Sequence, residues 1–97
     1  MEPVKRIEIV VAEFVLPDLF DILKRRQTGG YTVTTGLSGR GDRGVQSGEG
    51  TAGEFANACV VIACNETAIA GLLEDVRKLL KSYGGMCLVS DAMWLKH

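Results

Sequence analysis

The chain has 97 residues, with 11 Lys and Arg against 12 Asp and Glu for a net charge of −1, and an isoelectric point near 5.8. That length supports one domain with a modest core, for which burial by association would help. The scattered basic residues argue against general nucleic-acid binding, which needs a basic stripe to offset phosphate repulsion. The first residues form neither a signal peptide nor a span-length apolar run, so a cytoplasmic protein with no membrane insertion is expected.

Lys5 to Phe14 alternates, with Ile7, Ile9 and Val11 on one face and Glu8, Val10 and Ala12 on the other, the period of a strand. Pro17 suits the first position of a helix and Asp18 the positive end of its dipole. Leu16, Leu19, Phe20 and Leu23 then recur at helical spacing, which predicts a helix from about Pro17 to Thr28, stopped by Gly29-Gly30. Tyr31 to Leu37 is rich in threonine and valine and reads as a second strand, and Glu54 to Cys64 as a third. Asn65 or Thr67 can cap a second helix, in which Ile69, Leu72, Leu73, Val76, Leu79, Leu80 and Tyr83 keep the helical spacing. Gly84-Gly85 ends it, and a fourth strand begins over Met86 to Val89.

The order is βαββαβ, an α+β, ferredoxin-like sandwich with one antiparallel four-stranded sheet and two helices on a single face. Two helices cover only one face, yet the third strand is apolar on both. Phe55, Cys59, Val61 and Ala63 lie on one side, and Ala56, Ala58, Val60 and Ile62 on the other. A homo-oligomer built sheet face to sheet face is therefore expected.

Gly36 to Gly53 reads GLSGRGDRGVQSGEGTAG, a long excursion between the second and third strands. Loops beyond about 12 to 15 residues are uncommon in compact domains and are usually functional or disordered. Successive glycine amides can form a nest for an anion, and Arg40 and Arg43 add charge-assisted donors, with hydroxyls from Thr35 and Ser38. The bland alternative is a solvated loop kept soluble by its arginines. No catalytic signature is present: His97 is the only histidine, and no P-loop, HExxH or GxSxG motif occurs. Cys59, Cys64 and Cys87 lack CxxC spacing and read as reduced thiols, with no metal site and no prosthetic group.

These parts resemble the PII signalling superfamily, and within it the PII-like proteins associated with bicarbonate transport and carboxysomes. Gly30-Tyr31-Thr32-Val33, Thr35-Gly36 and Gly39-Arg40-Gly41-Asp42-Arg43 are similar to the run that opens the family's T-loop. Tyr83-Gly84-Gly85-Met86-Cys87 is similar to the segment before its last strand. The resemblance implies a homotrimer with adenine nucleotide in clefts between subunits. Thr35, Gly36, Arg40 and Arg43 would face the phosphates, joined by Gly84, Gly85 and Met86. Gly30 and Thr32 of a neighbouring subunit would approach the adenine, with Ile62 packing there. It also implies bicarbonate beside the nucleotide, at Ser38, Gly39, Arg40 and Gly41, and a T-loop whose partner is a bicarbonate transporter or a carboxysome-related protein.

The chain departs from the nitrogen-regulatory members, lacking both their modifiable tyrosine in the T-loop and their TGxxGDGK phosphate loop. Gln46 stands where the bicarbonate-transport branch carries a second phosphate-binding arginine. Fewer cationic donors favour ADP or AMP over ATP. Two other readings share the strand order. One is an oligomeric ACT-like module binding an amino acid, which would not need the glycine tract. The other is a nucleotide hydrolase, for which the tract offers only Asp42 and Glu49 as base or metal ligands.

Overall fold

The computed structural model describes residues 1–41, 44–46 and 56–97. β1 (Glu2–Ala12) leads through a short 3-10 turn into α1 (Leu16–Arg25), followed by β2 (Thr32–Leu37), a short pair β3 (Gly39–Gly41) and β4 (Gly44–Gln46), β5 (Asn57–Cys64), α2 (Ile69–Tyr83) and β6 (Met86–Trp94). The main sheet has the order β2-β5-β1-β6, antiparallel throughout. The expected ferredoxin-like βαββαβ topology is the observed one.

Period-two alternation in β1 places Ile7, Ile9 and Val11 under the helices, opposite Val60 and Ile62 of β5. Leu19, Ile22 and Leu23 of α1 and Leu72, Val76 and Leu79 of α2 close this core from above. The sheet's other face carries Val10, Cys59 and Val61 half-buried, with Met86, Leu88 and Trp94 exposed. Ala58 on the helix side is fully buried while Cys59 beside it is not, so covering one face leaves the other open. Arg6 and Glu8 form an ion pair on that open face.

The helices are joined at their surface by Asp75, whose Oδ2 accepts from Arg26 Nε at 2.6 Å and Arg25 Nη2 at 3.1 Å. Gly71 makes room for this clasp, because a Cβ there would lie 2.7 Å from Arg26 Nη1.

Several boundaries differ from the sequence reading. α1 ends at Arg25, before Thr28, and the residue that stops it is Gln27, at φ +54°, ahead of the glycines. Gln27 N–H donates to Lys24 O and Thr28 N–H to Leu23 O, the pair of bonds of a Schellman cap, which fixes the left-handed residue by position. Asn65 is the N-cap of the turn before α2: its Oδ1 accepts from Ala68 N–H at 3.0 Å, while Thr67 donates its hydroxyl to the same oxygen at 2.7 Å. β6 runs on to Trp94, paired along β1 as far as Glu2. The third strand of the sequence reading begins at Asn57, and its expected start at Glu54 and Phe55 lies outside the described residues.

The glycine tract is not one uninterrupted loop. Gly39 to Gly41 pairs antiparallel with Gly44 to Gln46. Ladder bonds use only backbone groups, which glycine possesses like any residue, and composition alone hides this hairpin.

Candidate functional site

The ends of β1 and β2 and the beginnings of β5 and β6 lie at the same end of the sheet, because β1 and β2 run opposite to β5 and β6. Two of the expected site segments stand there. At one edge, Thr34 pairs with Cys59 and Leu37 with Asn57, so three steps along β2 face two along β5 and Thr35-Gly36 forms a bulge. Gly36 takes φ +72°, and its N–H leaves the ladder to donate to Glu13 Oε2 at 2.9 Å. Thr35, Gly36 and Ser38 are exposed, and Gly39, Arg40 and Gly41 continue as β3.

At the opposite edge, Gly84 and Gly85 adopt φ +80° and +114°, turning the chain from α2 into β6. Gly84 N–H donates to Leu80 O at 2.7 Å, and Gly85 lies against the backbone of Val10. These glycines are thus required by backbone conformation and close packing within the chain. Met86 is half-exposed on the open face opposite Val10. Two strands, β5 and β1, separate this turn from the bulge, a distance of about 14 Å at the usual spacing between strands. One chain therefore presents the two expected segments at the same end of its sheet but at opposite edges of it.

The other expected residues fall elsewhere. Gly30 and Thr32 are exposed at the far end of β2. Beside them, Phe20, Leu23, Lys24, Gln27, Gly29 and Tyr31 line an open cavity of about 440 Å³, and Phe20 stacks on Tyr31 with centroids 5.1 Å apart. Ile62 does not reach a surface. It is 1% exposed in the core beneath the helices, because its register opposite Ile7 sends it to the covered face. Arg43, Asp42 and Glu49 lie outside the described residues.

The sequence reading missed Glu13. Its carboxylate holds Gly36, and its own N–H donates to Ala56 O at 2.7 Å, so it touches both the departing and the returning root of the tract. In the sequence it passes for one more polar position at a strand end, 23 residues from Gly36, with nothing local to mark it.

The three thiols offer no activated nucleophile: burial pushes Cys59, Cys64 and Cys87 up, and the nearby Glu8 raises Cys59 further. Among the described residues no group of His, Cys, Asp and Glu is placed to hold a metal ion, and no helix is long and apolar enough to cross a membrane.

Comparison with known proteins bears directly on this arrangement. The family model described as nitrogen regulatory protein P-II matches residues 4–97. Among solved structures, CPII from Thiomonas intermedia K12, a nitrogen regulatory PII-like protein bound to ADP, AMP and bicarbonate, superposes with a TM-score of 0.87 at 28% identity, over 95% of this chain and 88% of that one. CPII bound to ADP and bicarbonate gives 0.83 at 28% identity, with the same coverage. The apo form of CPII, at 24% identity and a TM-score of 0.80 over 95% of this chain and 91% of that one, shares the fold. No curated protein matches. The match over residues 4–97 decides between P-II and the ACT-like alternative.

Proposed function

The chain belongs to the nitrogen regulatory protein P-II family, and from that premise we propose that it is a homotrimeric sensor of adenine nucleotide, ADP or AMP ahead of ATP, and of bicarbonate. The observation that carries the proposal is the division of the site. The bulge at Thr35-Gly36 and the turn at Gly84-Gly85 face the same end of the sheet but stand at opposite edges of it. A cleft lined by both is completed by apposing the β2 edge of one subunit to the β6 edge of the next. The open face, with Val10, Val61, Met86 and Leu88, supplies the apolar surface that such an assembly would bury.

In this reading Thr35, Gly36, Arg40 and Arg43 hold the phosphates from the loop side, and Gly84, Gly85 and Met86 from the neighbouring turn. Gly30 and Thr32, on the same β2 edge as Thr35 and Gly36, approach the adenine from the subunit neighbouring the one that supplies the turn. Bicarbonate, a small planar anion, is held by the amides of Ser38, Gly39 and Gly41 with Arg40, in the manner of an anion nest. CPII, solved with ADP, AMP and bicarbonate together, supports this choice of ligands.

The mechanism is an ordering of the loop. A glycine-rich segment has high conformational entropy, and an anion at its base supplies partners for amides and guanidinium groups, favouring one arrangement over others. The switch works to the extent that ligand binds one arrangement more tightly. The ordered loop then presents a changed surface to a protein of inorganic-carbon metabolism, a bicarbonate transporter or a carboxysome-related protein.

The test is hydrogen exchange on the nucleotide-loaded protein, with and without bicarbonate. Bicarbonate should increase protection between residues 36 and 46, and unchanged protection there would count against a joint sensor.

A further inference from the structure

Glu13 holds the root of the glycine tract from both sides. Its N–H donates to Ala56 O at 2.7 Å, and Oε2 accepts from Gly36 N–H at 2.9 Å. The Gly36 amide is available for this because the bulge and the positive φ turn it out of the β2–β5 ladder. A carboxylate on a backbone N–H is chemically the contact that a phosphate or bicarbonate oxygen would make at the same place. That N–H carries a single hydrogen, so Glu13 and an anionic ligand cannot both accept from it fully.

The geometry points to Glu13 as a competing carboxylate that sets the charge selectivity of the loop root. It occupies the Gly36 amide when the site is empty, and an anionic ligand takes that amide only by displacing it. The inference rests on the nucleotide reading above and assigns its selectivity to a residue outside the glycine tract. The backbone bond to Ala56 keeps the displaced carboxylate within a side chain's reach of the bound anion. Repulsion then rises with ligand charge, from AMP to ADP to ATP. Displacement passes the departing root of the tract from the carboxylate to the anion, while the backbone tie to the returning root persists.

The experiment titrates AMP, ADP and ATP by calorimetry into the wild type, Glu13→Gln and Glu13→Ala. Glutamine keeps a neutral acceptor on the same stem, and alanine removes it. Both variants should bind ADP more tightly, Glu13→Gln by roughly tenfold, or about 1.4 kcal/mol, with a larger gain for ATP and a smaller one for AMP. In the ligand-free proteins the Gly36 amide should exchange faster in Glu13→Ala than in the wild type. A residue that only props the loop gives the opposite result, weaker binding in Glu13→Ala and no change in Glu13→Gln. That result, or an equal gain for all three nucleotides, would overturn the inference and leave the nucleotide reading standing. Absence of binding by the wild type and both variants would overturn both.

Discussion

Gly85 packs so closely on Val10 that a Cβ built on it would fall 2.4 Å from the Val10 carbonyl oxygen. The contact fixes where β6 begins, since Met86 is the first residue to pair with Val10. Neither the backbone oxygen nor the residue's φ of +114° tolerates a side chain. Gly85→Ala should destabilise the fold by about 2–4 kcal/mol, combining backbone strain with overpacking. Chemical denaturation measures this, and a loss well below 1 kcal/mol would show that the turn relaxes without cost.

Gln27 makes the opposite prediction. It holds the left-handed position of the Schellman cap at φ +54°, a conformation that costs a residue with a side chain about 1 kcal/mol or more. Gln27→Gly should therefore be neutral or stabilising by up to about 1 kcal/mol, even though glycine increases the freedom of the unfolded chain. Thermal melts of the two proteins decide it, and a clearly lowered midpoint would contradict this account of the cap.

The link between the helices predicts a pH dependence. Hydrogen bonds from Arg26 and then Arg25 hold the Asp75 carboxyl at about 2, below its ordinary 3.8. A carboxyl whose folded pKa is depressed stabilises the fold above its unfolded value, and that contribution is lost as pH falls through the folded one. Wild type should thus lose stability from about pH 4 towards pH 2 more steeply than Asp75→Asn. Denaturation midpoints across that range test it, and parallel profiles would contradict it.

The open face predicts an effect of Leu88→Glu. In the single chain Leu88 is 56% exposed, so burial opposes a charge there only weakly. Its partner across the sheet is Glu8, so the substitution also sets like charges side by side. Light scattering should find wild type as a trimer and the variant as folded smaller species. A variant that remains fully trimeric would place the contact on another surface.

Most of the fold was legible because it is written in periodicity. The alternation of Ile7, Ile9 and Val11, the helical spacing from Ile69 to Tyr83, and the apolar character of β5 on both faces each have one economical explanation. The turn before β6 was legible for a different reason, since a glycine pair after a helical run reports a backbone demand, and Gly84 and Gly85 both have positive φ. What stayed hidden depends on register or on long-range contact. Which face takes Ile62 is fixed by its pairing with Ile7, and a one-residue slip would reverse it. The tie between Glu13 and Gly36 joins residues 23 apart through a bulge that no local pattern announces. The pairing of β3 with β4 uses backbone groups in a segment whose composition reads as loop.

The most direct test of the central claim is calorimetric titration of the protein with ADP, AMP and ATP, each with and without bicarbonate. The account predicts one nucleotide per chain at saturation, ADP or AMP bound more tightly than ATP, and tighter nucleotide binding when bicarbonate is present. A clear preference for ATP, or nucleotide affinity indifferent to bicarbonate, would contradict it.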